Sequence, residues 1–158
     1  PFLAKHCDVF YIGGTKVGAM IGEAVVFTGM KAPKYFFTIV KRHGALLAKG
    51  RMLGIQFDTL FTDNLYFKVS QHAINMAVRI CDIFKKHGIA IAYDSPTNQQ
   101  FIVLPKRLYE ALSQKVAFEI WERKSDEEIV CRFVTSWATK EEELDELDRI
   151  LTTLCGAC

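Results

Sequence analysis

Two stretches of this chain carry residues whose types and spacing could do chemistry. The first is DVFYIGGTKVGAMIGEAVVF, Asp8 to Phe27. It sets one lysine, Lys16, beside Thr15, close to Gly13, Gly14 and Gly18, and between two apolar runs. Lysine is seldom buried without a reason. At the end of a buried strand, desolvation would lower the pKa of its amine, and a neutral amine attacks carbonyls. Schiff-base formation with pyridoxal phosphate is the commonest chemistry of that kind. The glycines would give a flat cofactor room against the backbone. An ordinary tight turn with a solvated lysine fits the same spacing. Two phosphate-binding motifs are excluded. A P-loop needs Gly-Lys followed by Ser or Thr, whereas here Thr15 precedes Lys16. The dinucleotide fingerprint GxGxxG fails because Thr15 stands at its third position.

The second stretch is CRFVTSW, around Arg132. Strand alternation puts Ile129, Cys131 and Phe133 on one face and Val130, Arg132 and Val134 on the other. An arginine flanked by valines needs an anion. Its guanidinium can grip a carboxylate through two parallel hydrogen bonds, which suits an amino-acid substrate. An ion pair with an internal Glu or Asp, or an arginine reaching out at a sheet edge, satisfies the pattern equally well. Other polar residues have plainer readings. His72 lies beside Val69 and Met76 and reads as a core histidine with a hydrogen bond. Glu141-Glu142-Glu143 suits the positive end of a helix. Lys41, Arg42 and Lys49, on a glycine-bearing helix, read as a solvated face. The terminal CGAC, Cys155 to Cys158, has no second CxxC or histidine pair to complete a metal site, so it reads as a frayed tail.

The elements that must position these residues follow from periodicity. Asp8 to Phe27 reads as strand, glycine-rich turn, strand, with both strands buried on both faces. A helix is expected from about Thr38 to Phe61, with Leu46, Leu53, Phe57 and Leu60 on one face. The clearest helix carries Val69, Ala73, Met76, Ala77, Ile80 and Phe84 at steps of three and four. Beyond Gly88 the period becomes strand-like, with IAIAYDS and QFIVLP as strands and Lys106 to Gln114 as a short helix. VAFEIWER and EEIVCRFVTSW form a hairpin. The last helix should be capped by Thr139 with Glu142 completing a capping box, and buries Leu144, Leu147, Leu151 and Leu154.

Composition limits the class. The chain has 158 residues, half of them hydrophobic and 24% charged, which suits a packed domain and argues against disorder. A net charge of +2 argues against a dedicated nucleic-acid binder. No apolar run reaches the roughly 18–20 residues that span a bilayer. Five scattered cysteines do not form a disulfide framework, so a reducing cytoplasm is the expected location.

The lysine segment resembles that of the threonine aldolase / aromatic amino acid β-eliminating lyase family, which uses pyridoxal phosphate on the fold-type-I scaffold. The resemblance continues in order through KRHGALLAKGRMLGIQF, LYFKVSQHAINMA, SPTNQQFIVLP and CRFVTSW. It implies an α/β fold that is the C-terminal portion of a fold-type-I subunit. Residues 1–61 would be the edge of the large cofactor-binding domain, 62–88 a connecting helix, and 89–158 a small α+β domain with an antiparallel sheet. It implies that Lys16 bonds covalently to pyridoxal 5'-phosphate, that Thr15 lines the cofactor site, and that Arg132 binds the substrate α-carboxylate. Lys49 matches a basic position near the active site. The phosphate cradle, the carboxylate facing the pyridinium nitrogen and the ring stacked on the cofactor would come from an N-terminal half not found here. The chain alone is therefore expected to be inactive. The implied reaction is cleavage of a β-hydroxy-α-amino acid, threonine to glycine plus acetaldehyde, in a homodimer or homotetramer, without a metal, nucleic acid or membrane. β-Elimination or transamination with the same cofactor remains open, as does a non-catalytic α/β ligand-binding module.

Overall fold

The computed structural model describes residues 2–29 and 32–156. The chain divides into two compact units, 1–67 and 68–158. In the first, α1 (Phe2–His6) leads into β1 (Val9–Gly13) and β2 (Glu23–Phe27). The two strands pair antiparallel, with Val9 opposite Phe27 and Gly13 opposite Glu23. They are not buried on both faces as expected. Val9, Tyr11 and Val25 are exposed, whereas the alternate Phe10, Ile12, Ala24 and Val26 are half-buried. The reason is architectural: this is a two-stranded ribbon, which has one covered face, and not an inner part of a layered sheet.

The single helix expected over 38–61 is two helices, α2 (Phe36–Arg42) and α3 (Arg51–Phe61). Gly44 causes the break. It adopts a left-handed φ of 70°, and the amide of Ala45 turns back to Val40 O at 3.0 Å while that of Gly44 meets Lys41 O. This arrangement satisfies the last carbonyls of α2 and stops it. Leu46, expected on the buried stripe, is therefore exposed outside any helix. Phe57 and Leu60 of α3 are buried. A short turn with Asp63 and Asn64 in left-handed conformations then leads into α4 (Leu65–Lys86).

The helical period read for α4 is met: Ala73, Met76, Ala77, Ile80, Ile83 and Phe84 are buried. They pack on one face of a three-stranded antiparallel sheet made of β3 (Gln99–Pro105), β4 (Glu119–Arg123) and β5 (Glu128–Val134), with β5 in the middle. The core cluster joins Phe84 and Ile80 to Ile102 and Leu104 of β3, Ile129, Cys131 and Phe133 of β5, and Leu147 and Leu151 of α6 (Glu141–Cys155). Phe84 and Phe133 meet with ring centroids 4.9 Å apart. Leu112 closes the core from α5 (Lys106–Leu112).

Two expectations shift here. IAIAYDS forms no full strand. It joins β3 only through the bridge between Ile91 and Ile102 and two backbone bonds, Ala92 N to Phe101 O and Val103 N to Ala90 O. The cap of α6 moves by one residue. The amide of Lys140 donates to Glu143 at 3.0 Å, while the Thr139 hydroxyl accepts from Ser136 N. Thr139 is drawn outward because its carbonyl accepts from His72 Nε2 at 2.8 Å, which is also the hydrogen bond expected for a core histidine. Cys155 ends α6, Gly156 follows it with its amide donating to Thr152 O at 3.0 Å, and Ala157 and Cys158 of CGAC lie outside the described residues.

Candidate cofactor and carboxylate sites

Lys16 sits on a 3-10 turn, Thr15–Val17, between β1 and β2. The carbonyl of Gly14 accepts from Val17 N at 3.1 Å and Ala19 N at 2.9 Å, and Gly18 closes the turn at a φ of 99° that few other residues adopt. Val17 and Ala19 point inward and are buried, which leaves Thr15 and Lys16 outward. Gly14 has a role that the sequence reading missed. A Cβ there would lie 2.6 Å from Ala19 Cβ and 2.9 Å from Phe57 Cζ, so its absent side chain lets the turn seat on α3 and leaves no space for a cofactor.

Two side chains clamp the backbone of the turn. Met20 N donates to Gln56 Oε1 at 2.6 Å. Tyr66 donates its hydroxyl to Gly13 O at 3.0 Å, and burial pushes the phenol above its ordinary value, so it keeps the proton it donates. Neither residue carried a sequence signal beyond its place on a helix. Lys16 itself is exposed and does not end a buried strand. Among the described residues no hydrogen bond or ion pair engages its amine. The clamped turn presents an exposed primary amine beside the Thr15 hydroxyl. Lys49 lies in the turn ahead of α3, not on the helix as expected, and is exposed; its carbonyl accepts from Met52 N.

In the second unit, strand alternation places Arg132 as expected, on the sheet face away from the core cluster. Its neighbours across the ladder are Phe101 of β3 and Glu119 of β4. Nη1 donates to Gln99 Oε1 at 3.1 Å, and Nη2 donates to Glu119 Oε2. The guanidinium carbon stands 5.4 Å from the ring centre of Trp121. Trp121 also packs against Phe101 at 5.0 Å, and Phe101 against Tyr93 at 5.5 Å. Arg132 Nε is buried without a hydrogen-bond partner, the one such side-chain atom among the described residues. The face thus combines a cation, an aromatic wall and an unsatisfied donor, which is the chemistry that takes an anion. Gln99, Glu119 and Trp121 were not singled out from the sequence. Gln99 was within reach of the alternation argument, because it shares a face with Phe101. Trp121 was not, because the register of β4 shifts between Ile120 and Glu122.

Other groups of this unit are committed elsewhere. Cys131 is fully buried and burial pushes its thiol up to about 11, which rules out a ready nucleophile. The Thr135 hydroxyl donates to Ala73 O at 2.6 Å, and Asn98 Nδ2 donates to Thr135 O at 2.6 Å, tying the loop before β3 to the end of β5. A groove lined by Lys115, Val116, Glu143, Leu147 and Arg149 does not include Arg132. No set of three or more His, Cys, Asp or Glu suited to a metal occurs among the described residues, and none of their helices is long and apolar enough to cross a membrane.

Ribbon, lysine turn, long helix and small helix-backed sheet together have the fold of the C-terminal portion of a pyridoxal-phosphate fold-type-I subunit. The particular likeness is to threonine aldolases. The threonine aldolase of Leishmania major superposes with a TM-score of 0.91 at 35% identity, over 97% of this chain and 45% of that one. The low specificity L-threonine aldolase of Pseudomonas aeruginosa is 28% identical over 152 residues, 95% of this chain and 43% of its own length. That of a second Pseudomonas is 28% identical over 142 residues, 89% of this chain and 40% of its own. No protein-family profile matches the chain. The resemblance expected from the lysine segment is borne out, and the chain spans less than half the length of the relatives it matches.

Proposed function

We propose that this chain is the part of a pyridoxal-phosphate-dependent aldolase that carries the cofactor lysine and the carboxylate-binding arginine, acting on a β-hydroxy-α-amino acid such as threonine. The observation that carries the reading is the shared fold with a threonine aldolase over 97% of the chain at 35% identity. The division of labour is read as residues 1–61 for the edge of the cofactor-binding domain, 62–88 for a connecting helix and 89–158 for the small domain, within a homo-oligomer.

Lys16 is the residue that bonds to the cofactor, with Thr15 beside it. When bound, pyridoxal phosphate supplies the electron sink for breaking the bond between Cα and Cβ. The work of this chain's own residues is placement. The clamps from Tyr66 and Gln56 fix the backbone that carries Lys16, so the amine swings only about its own side chain. Arg132 holds the substrate carboxylate, and a carboxylate fixed at two points can no longer rotate, which sets the orientation of the bonds at Cα. Gln99 and Trp121 keep the guanidinium plane in place while it does so. Lys49 is a further cation for the substrate. Glycine and an aldehyde leave.

The test uses the full-length protein. Lys16→Ala should remove the visible absorbance of the bound cofactor together with turnover; colour and turnover that persist unchanged overturn the assignment. Arg132→Ala should raise the KM for substrate far more than it weakens cofactor binding. Glycine and aldehyde as products support aldol cleavage, whereas pyruvate and ammonia would make the reaction a β-elimination.

A further inference from the structure

The guanidinium of Arg132 is already partnered, and its partner is the same chemical group as the ligand assigned to it. We propose that Glu119 is a built-in competitor for the substrate carboxylate: it pairs with Arg132 and must yield before an amino acid binds. This rests on the reading of Arg132 as the carboxylate site.

Three features of the second unit point this way. First, Glu119 takes Nη2 and leaves Nε buried and unpaired. A carboxylate bound side-on would satisfy both nitrogens, so the present pairing is an incomplete version of the stronger one. Second, Glu119 can leave at low cost. Its side chain is 66% exposed, against 27% for Arg132, and every residue of the edge strand β4 is exposed. The departing carboxylate returns to water, where an ion pair of this exposure contributes little. Third, Arg132 does not depend on Glu119 for its pose. Gln99 holds Nη1, and Trp121 flanks the guanidinium. Gln99 is neutral, so it orients the cation without competing for its charge. An exchange of one carboxylate for another follows: the ion pair with Glu119 breaks as the substrate pair forms. The apparent affinity is reduced by the fraction of time that Glu119 holds the site.

The experiment measures steady-state kinetics of the full-length holoenzyme with L-threonine for Glu119→Gln, Arg132→Ala and the double variant. Glu119→Gln should lower KM by about two- to fivefold, the range of an exposed ion pair, with little change in kcat. In the Arg132→Ala background, which itself raises KM, the second substitution should have no effect, because the two residues act as a pair. A gain in affinity that vanishes with Arg132 is not what a merely structural glutamate produces. A KM in Glu119→Gln that is unchanged or higher, with Arg132→Ala behaving as stated, overturns the competitor role alone. A KM unchanged in Arg132→Ala overturns the carboxylate site and the competitor with it.

Discussion

The two units of the chain hold their functional residues by different means. In 1–67, the buried hydrophobic side chains among the described residues are Val17, Ala19, Phe57 and Leu60, and two of these are the inward flanks of the lysine turn. Phe2, Tyr11, Met20, Phe37, Met52 and Phe67 stand exposed around them. In 68–158, α4, α6 and the sheet share a continuous core in which Phe84, Ile102, Leu104 and Leu151 are fully buried. Lys16 is therefore placed by local geometry: a turn, a missing Cβ and two backbone clamps. Arg132 is placed by register, in the middle strand of a sheet that a large core holds flat against two helices. Apolar burial contributes about 25 cal/mol per Å², so the second unit has a driving force of its own that the first largely lacks.

The contrast yields graded expectations. The largest effect belongs to the core of the second unit. Phe84→Ala should destabilise it by about 3–5 kcal/mol, as large-to-small core changes do. Both tryptophans, Trp121 and Trp137, lie in this unit, so their fluorescence in a urea titration reports it selectively. A loss near zero would mean that the core is not continuous. Next comes Gly14→Ala in the first unit, where the added methyl must displace Ala19 or Phe57. Overpacking of this kind costs about 1–3 kcal/mol. It should be read as faster hydrogen exchange at Val17 and Ala19, whose amides depend on the Gly14 carbonyl. Unchanged exchange would show that the turn is not seated on α3.

A smaller effect is expected from Asp148 in α6. Its carboxylate accepts from Lys86 Nζ at 2.6 Å and from His87 Nε2 at 2.7 Å. Those hydrogen bonds, that of Lys86 first, hold it below its ordinary value of 3.8. A lowered folded-state pKa adds stability that is complete above the ordinary value and is lost as pH falls through the lowered one. Asp148→Asn should therefore flatten the acid limb of the second unit's stability below pH about 4, measured by the same fluorescence titration across pH. An acid limb as steep as before would show that the pair contributes nothing. Smallest of all is Phe37→Ala on α2. Its ring is 73% exposed, so the stability of the chain by calorimetry should move by no more than about 0.5 kcal/mol.

Much of this was legible before the structure. The amphipathic period of α4, the hairpin of β4 and β5, the strand QFIVLP and the face of Arg132 follow from spacing, because each element buries one regular set of side chains against the core. The failures have a common cause. The split between α2 and α3, the one-residue shift of the α6 cap and the thinning of IAIAYDS to a bridge all turn on hydrogen bonds made between residues distant in sequence or on one backbone angle. Gly44 can sit within a helix or end one, and the pattern of apolar residues does not distinguish the two. The cap moved because Thr139 bonds to His72, 67 positions away.

The linear order of residue types was enough to raise carbonyl chemistry for Lys16 and a carboxylate for Arg132, whereas Thr15 and Lys49 entered only through the family resemblance. The first two suggestions rest on what each side chain is: an amine and a guanidinium. Folding alone established that Gly14 makes way for Phe57, that Tyr66 and Gln56 clamp the lysine turn, and that Glu119 already occupies Arg132. Such pairings depend on which strands lie side by side and in what register, and a helix or strand period records only the face a residue takes, never the neighbour it meets.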